Sequence, residues 1–183
     1  MSKRYSARKV KRSAVRWMRA TTTYYLNFPT IGASSFTSSV IPIAVNYKRT
    51  DFDGAPSASN VANITVKNFH VEFNLPDCNI GESYLCQLAF VPNGLNPTVD
   101  NGNTNSIGSG CYSFTNPDYT LAEKQVIVND YDTSRVVLST KLARKLGPND
   151  RICLLIHHIN HSSGATSGGG YVTIFSSYFV KAN

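Results

Sequence analysis

From residue 69 the chain alternates. Phe69, Val71, Phe73 and Leu75 fall on one face of an extended strand, and His70, Glu72 and Asn74 on the other. Just upstream, Ile64 and Val66 have the opposite parity. A one-residue slip near Lys67 and Asn68 reconciles the two halves and predicts a β-bulge there. Two runs, Tyr84 to Val91 and Ile152 to Ile156, are apolar on both faces. Such strands are covered on both sides, by a second sheet and by neighbouring structure or another subunit. Further strands are predicted over 40–47, 124–129, 134–139 and 171–180, with shorter ones over 22–28 and 110–114. Pro42 cannot donate to a ladder, so its strand is expected at a sheet edge.

Turn chemistry separates these runs at Asp53-Gly54, Asn93-Gly94, Asn101-Gly102 and Gly147-Pro148-Asn149-Asp150. Residues 92–123 and 161–170 read as long loops. Only 140–146 has helical character, because Leu142 and Leu146 are four apart and Gly147 follows as a cap. Many strands, long loops and almost no helix predict an all-β sandwich or barrel. The pattern does not choose among immunoglobulin-like, jelly-roll and barrel topologies.

Charge changes the picture. The 183 residues suit one domain, and the net charge of +7 is unevenly spread. Residues 1–20 carry Lys3, Arg4, Arg8, Lys9, Lys11, Arg12, Arg16 and Arg19 and no acid, which is +8. Residues 21–183 hold 10 basic and 11 acidic residues, so 10 − 11 = −1. A basic arm (1–20) on a near-neutral body (21–183) implies a polyanionic partner met by the arm. Phosphates need positive charge in quantity, and arginine forks grip them bidentately. Arg4, Arg8, Arg12 and Arg16 are four apart, so they would share one helical face, flanked by Lys11 and Arg19. Like charges at that spacing repel, so the arm is expected to be disordered when free and to order on nucleic acid. Trp17 has two readings: stacking on an unpaired base, or anchoring the arm by burying its ring. Lys141, Arg144 and Lys145 form a second basic patch or a solvated helical turn.

The remaining candidate chemistry is sparse. The N-terminal segment shares its Arg- and Ser-containing, acid-free look with organelle transit peptides, and it lacks the apolar core of a secretory signal. No run of 18 apolar residues predicts a membrane helix. Cys78, Cys86, Cys111 and Cys153 form no CxxC pair and read as buried thiols in a reducing setting. His157, His158 and His161 resemble a metal cluster, but neighbours on a strand point to opposite faces, so no metal is expected. Asp51 with Asp53 and Asp130 with Asp132 read as turn chemistry. Neither a catalytic constellation nor a cofactor is expected, since G-x-S-x-G, P-loop and H-E-x-x-H motifs are all missing.

Several segments, in order, carry a resemblance. Val66-Lys67-Asn68-Phe69-His70-Val71-Glu72-Phe73 precedes Leu88-Ala89-Phe90-Val91-Pro92-Asn93-Gly94-Leu95-Asn96-Pro97. Then come Arg135-Val136-Val137-Leu138-Ser139 and Leu142-Ala143-Arg144-Lys145-Leu146-Gly147-Pro148-Asn149-Asp150-Arg151-Ile152. This resembles the capsid proteins of circular, Rep-encoding single-stranded DNA viruses, the circovirus- and nanovirus-like group. There a V-K-x-F strand, a Y-V-P-x-G-x-x-P strand end and an R-x-L-x-x-G-D-x-I turn recur. The departures are Phe90 in place of tyrosine, Pro148-Asn149-Asp150 in place of a tighter turn, and a shorter arm. The resemblance covers roughly residues 60–160.

It implies an eight-stranded jelly roll, self-assembly into a small icosahedral shell of ~60 copies, and a single-stranded DNA genome. At that copy number the arms supply on the order of 500 positive charges, enough for a genome of about one to two thousand nucleotides. It also implies residence in the virion, a nuclear stage during assembly, and a host import receptor reading the basic arm. The strand holding Pro42 would be the jelly roll's first, and Lys141, Arg144 and Lys145 would face the genome from the inner wall. Two other classes compete. A cellular nucleic-acid-binding β-barrel predicts basic and aromatic residues on one sheet face. A carbohydrate-binding jelly roll would cluster Tyr112, Phe114, Tyr119 and Tyr131 with acids.

Overall fold

The computed structural model describes residues 16–28, 31–32, 36–44, 63–75, 82–94, 119–128, 135–160 and 170–183. The expected strand at 110–114, most of the two long loops, the paired aspartates, Cys78, Cys111 and His161 lie outside them.

Nine strands form in order: β1 (Met18–Phe28), β2 (Phe36–Ala44), β3 (Ile64–Asn74), β4 (Glu82–Val91), β5 (Thr120–Ile127), β6 (Arg135–Thr140), β7 (Arg144–Leu146), β8 (Arg151–Asn160) and β9 (Gly170–Ala182). One sheet runs β1-β9-β3-β6, with β7 also on β3, and the other runs β2-β8-β4-β5. All pairings are antiparallel. Leaving β7 aside, that is the strand order of an eight-stranded jelly roll, with its strands divided between two facing four-stranded sheets.

Alternation builds the core between the sheets. Val66, Phe69, Val71 and Phe73 of β3 and Val172, Ile174 and Tyr178 of β9 face Tyr84, Cys86 and Leu88 of β4 and Ile152, Leu154 and Ile156 of β8. The two-sided apolar runs do bury both faces. Ala89, Val91, Cys153 and Leu155 form a second buried cluster on the far side of β4 and β8. Burial pushes the Cys86 thiol up to about 12 and the Cys153 thiol up to about 11, so both stay protonated and unreactive.

The expected bulge is present. Lys67 pairs with Phe179 and His70 with Ser177, so two residues of β3 oppose one of β9. Asn68 has φ 54°, a left-handed conformation that asparagine tolerates better than most residues. Lys67 and Asn68 thus both turn outward while Val66 and Phe69 both turn in.

Pro42 is at a sheet edge, because β2 ends its sheet. Its strand is the second of the jelly roll, however, and not the first. The first strand is β1, which begins at Met18, so the last three residues of the 1–20 segment already belong to the sheet.

The helix expected over 140–146 is a second correction. Residues 141–143 are irregular, and Arg144 to Leu146 form β7 against Ile64 to Val66. β6 stops where Thr140 meets Phe69, at the bulge, and β7 resumes the ladder beyond it. Leu146 is buried, whereas Leu142 is 48% exposed. The four-residue spacing was therefore not a helical stripe.

Two expected turns are tied by one carboxylate. Asp150 accepts from the Gly147 amide at 2.8 Å and the Asn93 amide at 2.9 Å. Asn149 has φ 66° after Pro148, the arrangement of a type II turn.

Candidate nucleic-acid interface

The outward face of the β1-β9-β3 sheet concentrates positive charge at one end, and strand register explains why. Arg19 pairs with Phe179, and Phe179 with Lys67, so these three share one row. One row further out, Thr65 pairs with Lys181 on one side and Lys145 on the other. Paired residues share a face, and adjacent strands are about 4.8 Å apart. Four cations from four strands therefore gather within a few side-chain widths. Among the described residues, the acids are Glu72, Glu82, Glu123 and Asp150. Only Glu72 lies on this face. The Arg135 guanidinium, 2.6 Å away, holds its carboxyl below the usual range.

Trp17 enters this end of the face. The Lys67 Nζ lies 4.0 Å from its ring centroid and the Lys181 Nζ 5.1 Å. Two ammonium groups on one indole are cation–π contacts that fasten the chain entering β1 to its own sheet. The ring is half-buried, so these amines hold it to the sheet without burying it. A base could reach only ring surface that those amines leave open.

The other sequence candidates distribute as follows. Lys3, Arg4, Arg8, Lys9, Lys11 and Arg12 lie outside the described residues. Arg16 is exposed just before β1, and Arg19 is exposed within it. A helical arginine face therefore cannot extend to Arg19, which is in a strand. The trio Lys141, Arg144 and Lys145 is divided. Lys145 joins the outward row, and Arg144 pairs with Val66 on the opposite parity. Lys141 lines a shallow hollow beside the bulge with Asn68, Phe69 and Thr140. Lys67 and Lys181 are the residues that sequence reasoning missed. Extending the 171–180 alternation by one step puts Lys181 on the polar face with Phe179. The parity slip already turned Lys67 outward.

The histidines do other work. His157 and His158 take opposite faces of β8. His158 is in the core, its Nε2 2.9 Å from Glu82 Oε2 and its ring stacked on Tyr84 at 4.2 Å. The Tyr84 hydroxyl donates to the same carboxylate oxygen at 3.2 Å. Glu82 is a carboxylate partner that the linear pattern did not reveal, 76 residues away. Burial lowers the His158 pKa against the pull of Glu82. His158 Nδ1 has no hydrogen-bond partner among the described residues. No group of three metal-ligating side chains occurs among the described residues either. Of the aromatics proposed for carbohydrate binding, Tyr119 packs edge-on against Phe90 at 5.9 Å, and the other three lie outside the described residues.

No protein-family model matches the chain, and no curated protein does. Solved viral structures are similar to it. Desmodium yellow mottle tymovirus is 11% identical, with 97% of this chain and 95% of that chain covered and a TM-score of 0.43. The empty head of turnip yellow mosaic virus is 8% identical, with coverages of 100% and 89% and a TM-score of 0.44. The decameric BFDV capsid protein is 12% identical, with coverages of 93% and 100% and a TM-score of 0.42. The chain's own strand order makes it an all-β jelly roll.

Proposed function

We propose that this chain is a structural coat protein that self-assembles into a closed icosahedral shell and packages nucleic acid through its basic N-terminal segment. The observation that carries this reading is the meeting of the basic segment with the sheet. Residues 1–20 lead into β1, whose outward face already gathers Arg19, Lys67, Lys145 and Lys181. In a shell this face would be the inner wall. The arm would neutralise phosphates, and the sheet's basic end would extend that charge onto a rigid surface. The resemblance in residues 60–160 favours single-stranded DNA as the genome, residence in the virion, and a nuclear stage served by an import receptor. The chemistry is assembly and charge neutralisation, without catalysis. Many modest, symmetry-repeated contacts would hold the shell.

Negative-stain microscopy of the expressed protein tests the class. Uniform closed particles support it, and a stable monomer at high concentration overturns it. Deleting residues 1–15 tests the arm. Shells should still form, with the ratio of absorbance at 260 to 280 nm falling to that of protein alone. Full packaging by the deleted chain would remove the role given to the arm.

A second reading has one observation in its favour. Basic and aromatic residues do share one sheet face, as a cellular nucleic-acid-binding β-barrel requires. The two facing sheets in jelly-roll order favour the coat, and the microscopy separates the two readings.

A further inference from the structure

Beyond its basic end, the same sheet face carries something that charge neutralisation does not need. Three aromatic rings stand out into solvent: Tyr25 at 79% exposure, Tyr171 at 84% and Phe175 at 56%. They are the only strongly exposed aromatics among the described residues. The exposed aliphatics Val40, Ile127 and Leu142 lie on other elements.

Register sets the rings side by side. Tyr25 pairs with Thr173, whose neighbours on the same face are Tyr171 and Phe175. Diagonal neighbours in an antiparallel pair are about 7–8 Å apart, so each ring can keep a π-face open. A shallow hollow of about 300 Å³ lies between the rings and the basic end on this face, with Arg19 on one side, Phe175 on the other and His70 and Glu72 in its wall. From Phe179 to Tyr171 the face runs eight residues, roughly 27 Å at the antiparallel rise per residue.

We infer that this face is a stacking platform for an unpaired nucleic-acid strand. Its phosphates would lie against Arg19, Lys67 and Lys181, and successive bases on Phe175, Tyr25 and Tyr171. The inference rests on the coat reading and deepens it by assigning the sheet residues that hold the bases. Charge complementarity selects the occupant, since four cations gather at the basic end, the one acid among the described residues of this face, Glu72, is paired with Arg135, and the exposed rings continue beyond it. Stacking needs a base with an open face. A single strand offers one at every nucleotide, while a duplex hides its bases and can use only the cations. The platform therefore discriminates single strands from duplexes without reading sequence.

The test uses the full chain and two probes: a labelled oligothymidylate and a DNA duplex of equal length. The triple variant Tyr25→Ala, Tyr171→Ala, Phe175→Ala should weaken single-strand binding roughly a hundredfold or more. Duplex affinity should stay unchanged. So should the dependence of single-strand binding on salt, because that slope counts phosphate contacts and not stacked bases. The variant Tyr25→Phe, Tyr171→Phe keeps the rings and should bind as the parent does. Unchanged single-strand affinity in the alanine variant overturns the platform, as does an equal loss for both probes. Lost particle assembly with binding intact would make the face a subunit contact and also overturns it. The chain lacking residues 1–15 separates this inference from the one beneath it. If that deletion weakens neither probe, the arm reading fails, whatever the aromatic variant does.

Discussion

At the scale of single residues, the histidines give the molecule its acid sensitivity. Burial holds His157 down to about 4 from its ordinary 6.5, and it lowers His158 as well. The unfolded chain therefore takes up protons near pH 6.5 that the folded chain refuses. Stability is full above that point and is lost as pH falls toward about 4. The urea midpoint should drop steadily across that window, and His157→Gln should flatten part of the drop. A midpoint indifferent to acid over the same range would contradict it. The pairing of His158 with Glu82 was not legible from sequence. It depends on β4 and β8 being neighbours, which 76 residues of chain separate. The opposite facing of His157 and His158 was legible, because it needs only the two-residue period of a strand.

At the scale of elements, the bulge is the joint on which the sheet turns. It lets Val66 and Phe69 share the core, ends β6, and presents Lys67 outward. Its left-handed residue makes a specific demand. Asn68→Val should destabilise the protein by about 1–2 kcal/mol in denaturant unfolding, although valine is the better strand former. Asn68→Gly should cost little or stabilise. A stabilising valine would mean that Asn68 does not hold φ 54° in solution. The parity slip made this element readable in advance, and Pro42 made the edge position of β2 readable. β7 was not. Lys-Leu-Ala-Arg-Lys-Leu is a good helical sequence by propensity. What overrides it is the unpaired edge of Ile64 to Val66 beyond the end of β6, a demand made by tertiary structure alone. The basic cluster is hidden for the same reason. Lys67, Lys145 and Lys181 are far apart in sequence, and two strand pairings, β3 with β7 and β3 with β9, bring them together.

At the scale of the whole molecule, alternation and turns made the sandwich legible, but not its strand order. The resemblance, not the periodicity, singled out the jelly roll. Within residues 21–183 the described ones hold eight basic and four acidic side chains, so 8 − 4 = +4, although the whole of 21–183 sums to −1. The compensating acids therefore lie mostly outside the described residues. The net figure for the body concealed how positive one face is.

The strand order also has a temporal consequence. β9 sits between β1 and β3, and β8 between β2 and β4. Each sheet waits for a strand made in the final third of translation to enter its middle. Met18 waits for Val180 across nearly the whole chain, a non-local closure of the kind that slows folding. A chain ending before residue 170 should leave β1 and β3 with open ladder edges and collect in the insoluble fraction, while the full chain stays soluble. A soluble, cooperatively folding truncation would argue against this. The fold thereby acts as a completeness check during synthesis: a nascent or broken chain has no finished sheet to present to any partner.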